Sequence, residues 1–65
     1  MITLLKQQIQ VNGKNVIVES YVDETNNICY DVTSTETVNQ HDYQVAVESV
    51  SASVNKVYRQ KILMG

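Results

Sequence analysis

The chain holds one cysteine, Cys29, and one histidine, His41, so any nucleophilic or metal chemistry would have to be assembled from these two and the acids around them. A structural zinc site wants four nitrogen or sulfur ligands, and two are too few. A Cys–His nucleophile pair needs both side chains within hydrogen-bond reach. The pattern of the chain puts Cys29 in mid-strand and His41 at the start of a helix. Acids alone flank the strand of Cys29, so nothing there would lower its pKa. A Gly-rich phosphate loop, a spaced Cys or His pair and a Gly-x-Ser-x-Gly elbow are all missing. Asp23-Glu24-Thr25-Asn26-Asn27 lacks the spacing and the glycine of a calcium loop. The expectation is a non-enzymatic protein with no cofactor and no metal.

Charge is more informative than nucleophiles. Net charge is only -2, yet every acid (Glu19, Asp23, Glu24, Asp31, Glu36, Asp42, Glu48) lies between positions 19 and 48, and Lys56, Arg59 and Lys61 close the chain. Acids near the start of a helix and bases near its end complement its dipole. That accounts for the helical charges and leaves the acids on the strands unexplained.

The elements that position these groups follow from periodicity. Thr3 to Asn12 alternates as a strand, and Asn12-Gly13 supplies the two positive-φ positions of a type I′ hairpin turn. The turn pairs Val11 with Lys14, Ile9 with Val16, Gln7 with Val18 and Lys6 with Glu19. Leu5, Ile9, Val11, Val16, Val18 and Val22 then share one face. A polar connection, Asp23 to Asn27, leads to a third strand, and pairing Val22 with Ile28 adds Ile28, Tyr30 and Val32 to that face. Lys6, Gln8, Gln10, Ile17, Glu19, Tyr21, Cys29, Asp31, Thr33 and Thr35 line the other face. Two capping patterns follow, Thr37-x-x-Gln40 and Asn39-x-x-Asp42. From Tyr43 onward Ala46, Val47, Val50, Val54, Val57 and Tyr58 fall with it on one helical stripe. The expected fold is α+β, one domain over residues 1–65: a three-stranded antiparallel meander (about 3–12, 14–22 and 28–36) with one C-terminal helix (about 40–62) packed on one face. Serines beside valines keep helix propensity low, so packing must hold the helix.

A core of this size rarely supplies more than roughly 3 to 5 kcal/mol, and with no disulfide or metal a homodimer is the expected extra source of stability. No apolar run approaches the ~20 residues of a membrane span, and Met1 to Leu5 is too short for a signal-peptide core. The expected location is the cytoplasm.

The surfaces left over suggest a role. Tyr21 points outward beside Ile17 and Cys29 with acids around it, the character of an interface anchor with a polar rim. Glu19, Tyr21, Asp23, Glu24 and Asp31 are therefore the candidate contacts for a protein partner. Ile17, Cys29, Val45 and Ala52 are the candidate oligomer contacts, the last two because they fall near the polar side of the helix with Leu63. Small acidic proteins of this kind are often made by phages and mobile elements to block a host protein, which is the expected role by analogy. The alternative is nucleic-acid binding. Three strands followed by one helix resembles, in element order and without a shared motif, the arm-binding domains of tyrosine integrases, which present the sheet to the DNA major groove. That resemblance implies phosphate contacts from basic side chains. Lys56, Arg59 and Lys61 could supply them, brought together in a dimer, whereas the outer sheet face offers Lys6 against Glu19 and Asp31.

Overall fold

A computed structural model describes residues 2–63. Three strands, β1 (Ile2–Val11), β2 (Lys14–Val22) and β3 (Ile28–Ser34), form one antiparallel sheet in the order β1-β2-β3, and a helix, α1 (Gln40–Tyr58), packs on one face. A five-residue π-helical turn, Arg59–Leu63, continues α1. No helix among the described residues is long and apolar enough to cross a membrane.

The hairpin turn follows from its residues. Asn12 and Gly13 have φ of 51° and 79°, as the type I′ turn requires, and Val11 pairs with Lys14. From there the register runs as the turn dictates, with Ile9 opposite Val16, Gln7 opposite Val18 and Lys6 opposite Glu19. The β2–β3 connection is tighter than its five polar residues suggest. The Asn26 N–H donates to the Asp23 carbonyl and the Asp23 N–H to the Asn27 carbonyl, with Asn26 at φ 68°. This is a three-residue loop built on a turn and a left-handed residue, a position that asparagine tolerates. Val22 then faces Ile28 and Val18 faces Val32.

One break in the β1 alternation changes the core. Thr3 faces Tyr21 while Leu5 faces Ser20, so Leu4 is an extra residue, a β-bulge. The bulge turns Leu4 inward to 4% exposure, and Leu5, expected in the core by parity, is half-buried at its margin. Ser20 is buried opposite Leu5, and its hydroxyl donates to the Leu5 carbonyl at 3.2 Å. Leu4, Val11, Val16, Val18, Val22, Ala46, Val50 and Val54 form the core, with Ile9, Ile28, Tyr30, Val32 and Val57 around them.

Boundaries shift for local reasons. β3 ends at Ser34, before 36, because the Ser34 hydroxyl donates to the Asn15 carbonyl and accepts from the Glu36 N–H, turning the chain out of the ladder. Of the two capping patterns, Asn39 starts the helix, its side chain accepting the Asp42 N–H at 2.8 Å. The buried stripe of α1 is Asp42, Ala46, Val50 and Val54, at i, i+4 spacing. Tyr43, expected on that stripe, is 42% exposed, and Val47 is half-buried. Val45, expected on the polar side, instead packs against the core margin, because α1 leans over β1 and reaches β3 least.

Candidate functional site

Two surfaces carry the chain's polar chemistry, and a third polar cluster is structural. On the outer sheet face the register sets three parallel rows: Gln8, Ile17 and Thr33; then Lys6, Glu19 and Asp31; then Thr3, Tyr21 and Cys29. Ile17 and Tyr21 are thus held apart by the charged row, so Ile17, expected beside Tyr21 and Cys29, forms a separate apolar patch. Ile17 is 38% exposed, Tyr21 and Cys29 are half-buried, Glu19 is half-buried and Asp31 exposed. A shallow concavity of about 370 Å³ lies beside Ile17, lined by Gln8, Asn15, Thr33, Ser34 and Thr35. Lys6 forms no ion pair within this row; the one ion pair among the described residues is elsewhere. Two acids on adjacent strands repel, so the row is a site where an incoming cation lowers the energy.

Asp23 and Glu24 sit at the end of this face, in the β2–β3 loop, and the two acids differ in kind. Asp23 Oδ1 accepts from the Thr25 N–H at 3.0 Å, the Thr25 hydroxyl at 2.7 Å and the Asn27 N–H at 2.9 Å. Those bonds, the Asn27 amide first, hold its carboxyl below the usual range. The Cys29 thiol donates to Asp23 Oδ2 at 3.6 Å, and burial, reinforced by that carboxylate, pushes the thiol pKa up. Asp23 is therefore the internal organiser of its loop, whereas Glu24 is exposed. The Asn26 side-chain amide donates to the Tyr58 hydroxyl at 3.3 Å, docking the loop on the end of α1.

The second surface is on α1, where a groove of about 420 Å³ is lined by Ala52, Asn55, Lys56, Arg59 and Gln60. Lys56 and Arg59 are exposed in it, while the Lys61 ammonium turns away and donates to the Thr3 carbonyl at 3.3 Å. The three bases proposed for nucleic acid thus split, two on the groove and one spent on the sheet. His41 is exposed at the hairpin-turn end of the molecule and Cys29 lies at the opposite end on the other face of the sheet. Among the described residues, no three His, Cys, Asp or Glu side chains converge on a common ion position.

The third cluster was invisible as a set in the sequence. Asp42 is 2% exposed, its Oδ1 accepting from Asn12 Nδ2 at 2.6 Å and its Oδ2 from the Lys14 ammonium at 2.7 Å. Lys14 also donates to the Thr37 carbonyl at 2.9 Å. The Lys14 and Asn12 hydrogen bonds hold the Asp42 carboxyl below its ordinary value. This clasp ties the hairpin tip to the first turn of α1. The available signal was length: a ten-residue strand and a helix of about 28 Å have matching extents, which brings Asn12 and Lys14 level with the helix start. No protein-family model matches the chain, and no curated protein or solved structure was found to resemble it.

Proposed function

We propose that this is a non-enzymatic binding module that takes a protein partner on its outer sheet face, with Glu19, Tyr21 and Asp31 at the centre, Ile17 as a second apolar contact and Glu24 at the rim. The observation that carries this is the Lys6, Glu19 and Asp31 row, two acids side by side on an open face with no ion pair to neutralise them. An interface core that is partly aromatic, with charge at its margin, suits a partner presenting lysine or arginine beside an apolar side chain. Asp23 contributes by shaping the loop rather than by direct contact.

Glu19→Lys with Asp31→Lys reverses the row at solvent-facing positions. Capture of partners from the native host by tagged protein, read by mass spectrometry, should lose with this variant the partner that the unaltered chain retains. A partner kept unchanged would refute the site. Nucleic-acid binding is the rival outcome: neutralising Lys56, Arg59 and Lys61 would then abolish a salt-sensitive mobility shift that the acidic-row variant leaves in place.

A further inference from the structure

β1 is an edge strand, and most of its edge is open. Val11 and Lys14 flank the two-residue turn and so form a hydrogen-bonded pair. Such pairs alternate along an antiparallel ladder, which turns the backbone N–H and C=O groups of Gln10, Gln8 and Lys6 away from β2. All three residues are exposed, and among the described residues no side chain bonds those groups. The β3 edge is different: the Tyr43 hydroxyl donates to the Tyr30 carbonyl, and self-pairing there would bring copies of Asp31 close together.

The helix supplies a second half to this surface. Tyr43 reaches β3 and Tyr58 reaches the β2–β3 loop, so the opposite flank of α1, which carries the half-buried Val45 and is bordered by Lys56, is the one overhanging β1. The groove of about 420 Å³, lined by helix residues alone, opens on the outward side of α1 and meets this flank at Lys56.

We propose that a second copy of this chain docks here, with the two β1 strands pairing antiparallel about a two-fold axis at Gln8. Gln8 then faces the partner's Gln8 and Lys6 faces the partner's Gln10, so all three outward residues exchange backbone hydrogen bonds and no like charges are opposed. On the core face the half-buried Leu5 faces the partner's Val11. Along α1, Asp42 is level with the hairpin turn and Lys61 with Thr3, so the turn of α1 around Ala52, midway, is level with Gln8 and the axis. The two-fold then sets Lys56 of each copy beside Glu48 of the other. Strands lie about 4.8 Å apart. A helix seated between β1 and β2 is about half that distance inside the edge, which spaces the two helix axes roughly 10 Å apart, the distance of packed helices. Each Glu48 accepts only an exposed, 3.4 Å bond from the Gln44 amide, which a lysine displaces readily. The outer faces point away from both helices and stay open, so this dimer stands independently of the partner site above.

Sedimentation of the intact protein over a dilution series should give the mass of a dimer that dissociates at low concentration. Gln8→Pro removes one outward N–H that the β1–β2 ladder does not use, a change edge strands tolerate, and should yield a folded monomer by circular dichroism. Glu48→Lys should raise the dissociation constant roughly tenfold, two exposed pairs being turned to repulsion, and Glu48→Lys with Lys56→Glu should restore it. If Gln8→Pro does not fold, the charge exchange decides alone. A monomer at every concentration, or a dimer indifferent to the charge exchange, overturns the proposal. A dimer dissolved by Asp31→Lys and not by Glu48→Lys places the interface at β3 and overturns it too.

Discussion

A carboxylate taken out of water keeps its charge only where other groups replace the solvent. Asp42 does so through Asn12 and Lys14, and the direction of its shift fixes how the protein responds to acid. Its folded pKa lies below its unfolded value of about 3.9. The stabilisation is therefore complete above that unfolded value and is lost as pH falls through the lower, folded one. Asp23 shifts in the same direction and adds to the same acid limb. Asp42→Ala should lower the melting temperature at pH 7 by on the order of 10 °C. Asp42→Asn should flatten the fall in stability as pH drops below about 4, read as the urea midpoint through the acid limb. An equal acid dependence in both proteins would show that the clasp is not the source. The sequence places Asp42 in the first helical turn for its favourable dipole. It cannot show that Lys14, a turn-flanking lysine indistinguishable there from any solvated one, is its partner.

At the scale of elements, strands, turns and helix are legible because each rests on a local rule: positive φ at Asn12 and Gly13, alternation in β2, a helical stripe through Ala46, Val50 and Val54. What escapes is the interruption of a rule. The bulge at Leu4 has no glycine to announce it, and period-two parity assigns Leu5 to the core in its place. The physical order is reversed, and mutational cost should follow the structure. Leu4→Ala should cost about 3 kcal/mol and Leu5→Ala about 1 kcal/mol in chemical denaturation, whereas an unbulged strand would give the opposite ranking. The outward rows fare better, since Glu19, Tyr21, Asp31 and Cys29 follow from the two registers alone. Val45 does not, because a helical wheel fixes angles around the axis but not the tilt of α1 toward β1.

For the whole molecule, neither layer is complete without the other. The serines and valines of α1 make it a poor isolated helix, and a three-stranded meander needs its apolar face covered. A peptide of residues 39–63 should therefore show little helical circular dichroism in water, and unfolding of the intact chain followed by tyrosine fluorescence and by far-ultraviolet dichroism should give one coincident transition. Two separated transitions would mean that the sheet persists without α1. This mutual dependence was visible in the apolar stripe and the single apolar sheet face, which need each other as partners.

The contacts of Tyr43 with the Tyr30 carbonyl and of Lys61 with the Thr3 carbonyl give the helix a guard's role in the solubility of the protein. One element shields an acceptor on each edge of the sheet, so a single undocking event frees both acceptors at once, opening the β3 edge and lengthening the open stretch of β1. The form able to add strands end upon end into fibres is then the helix-released state, and its population follows from how tightly α1 is held. Resistance to strand addition at the β3 edge thus rests on helix docking together with the charge of Asp31.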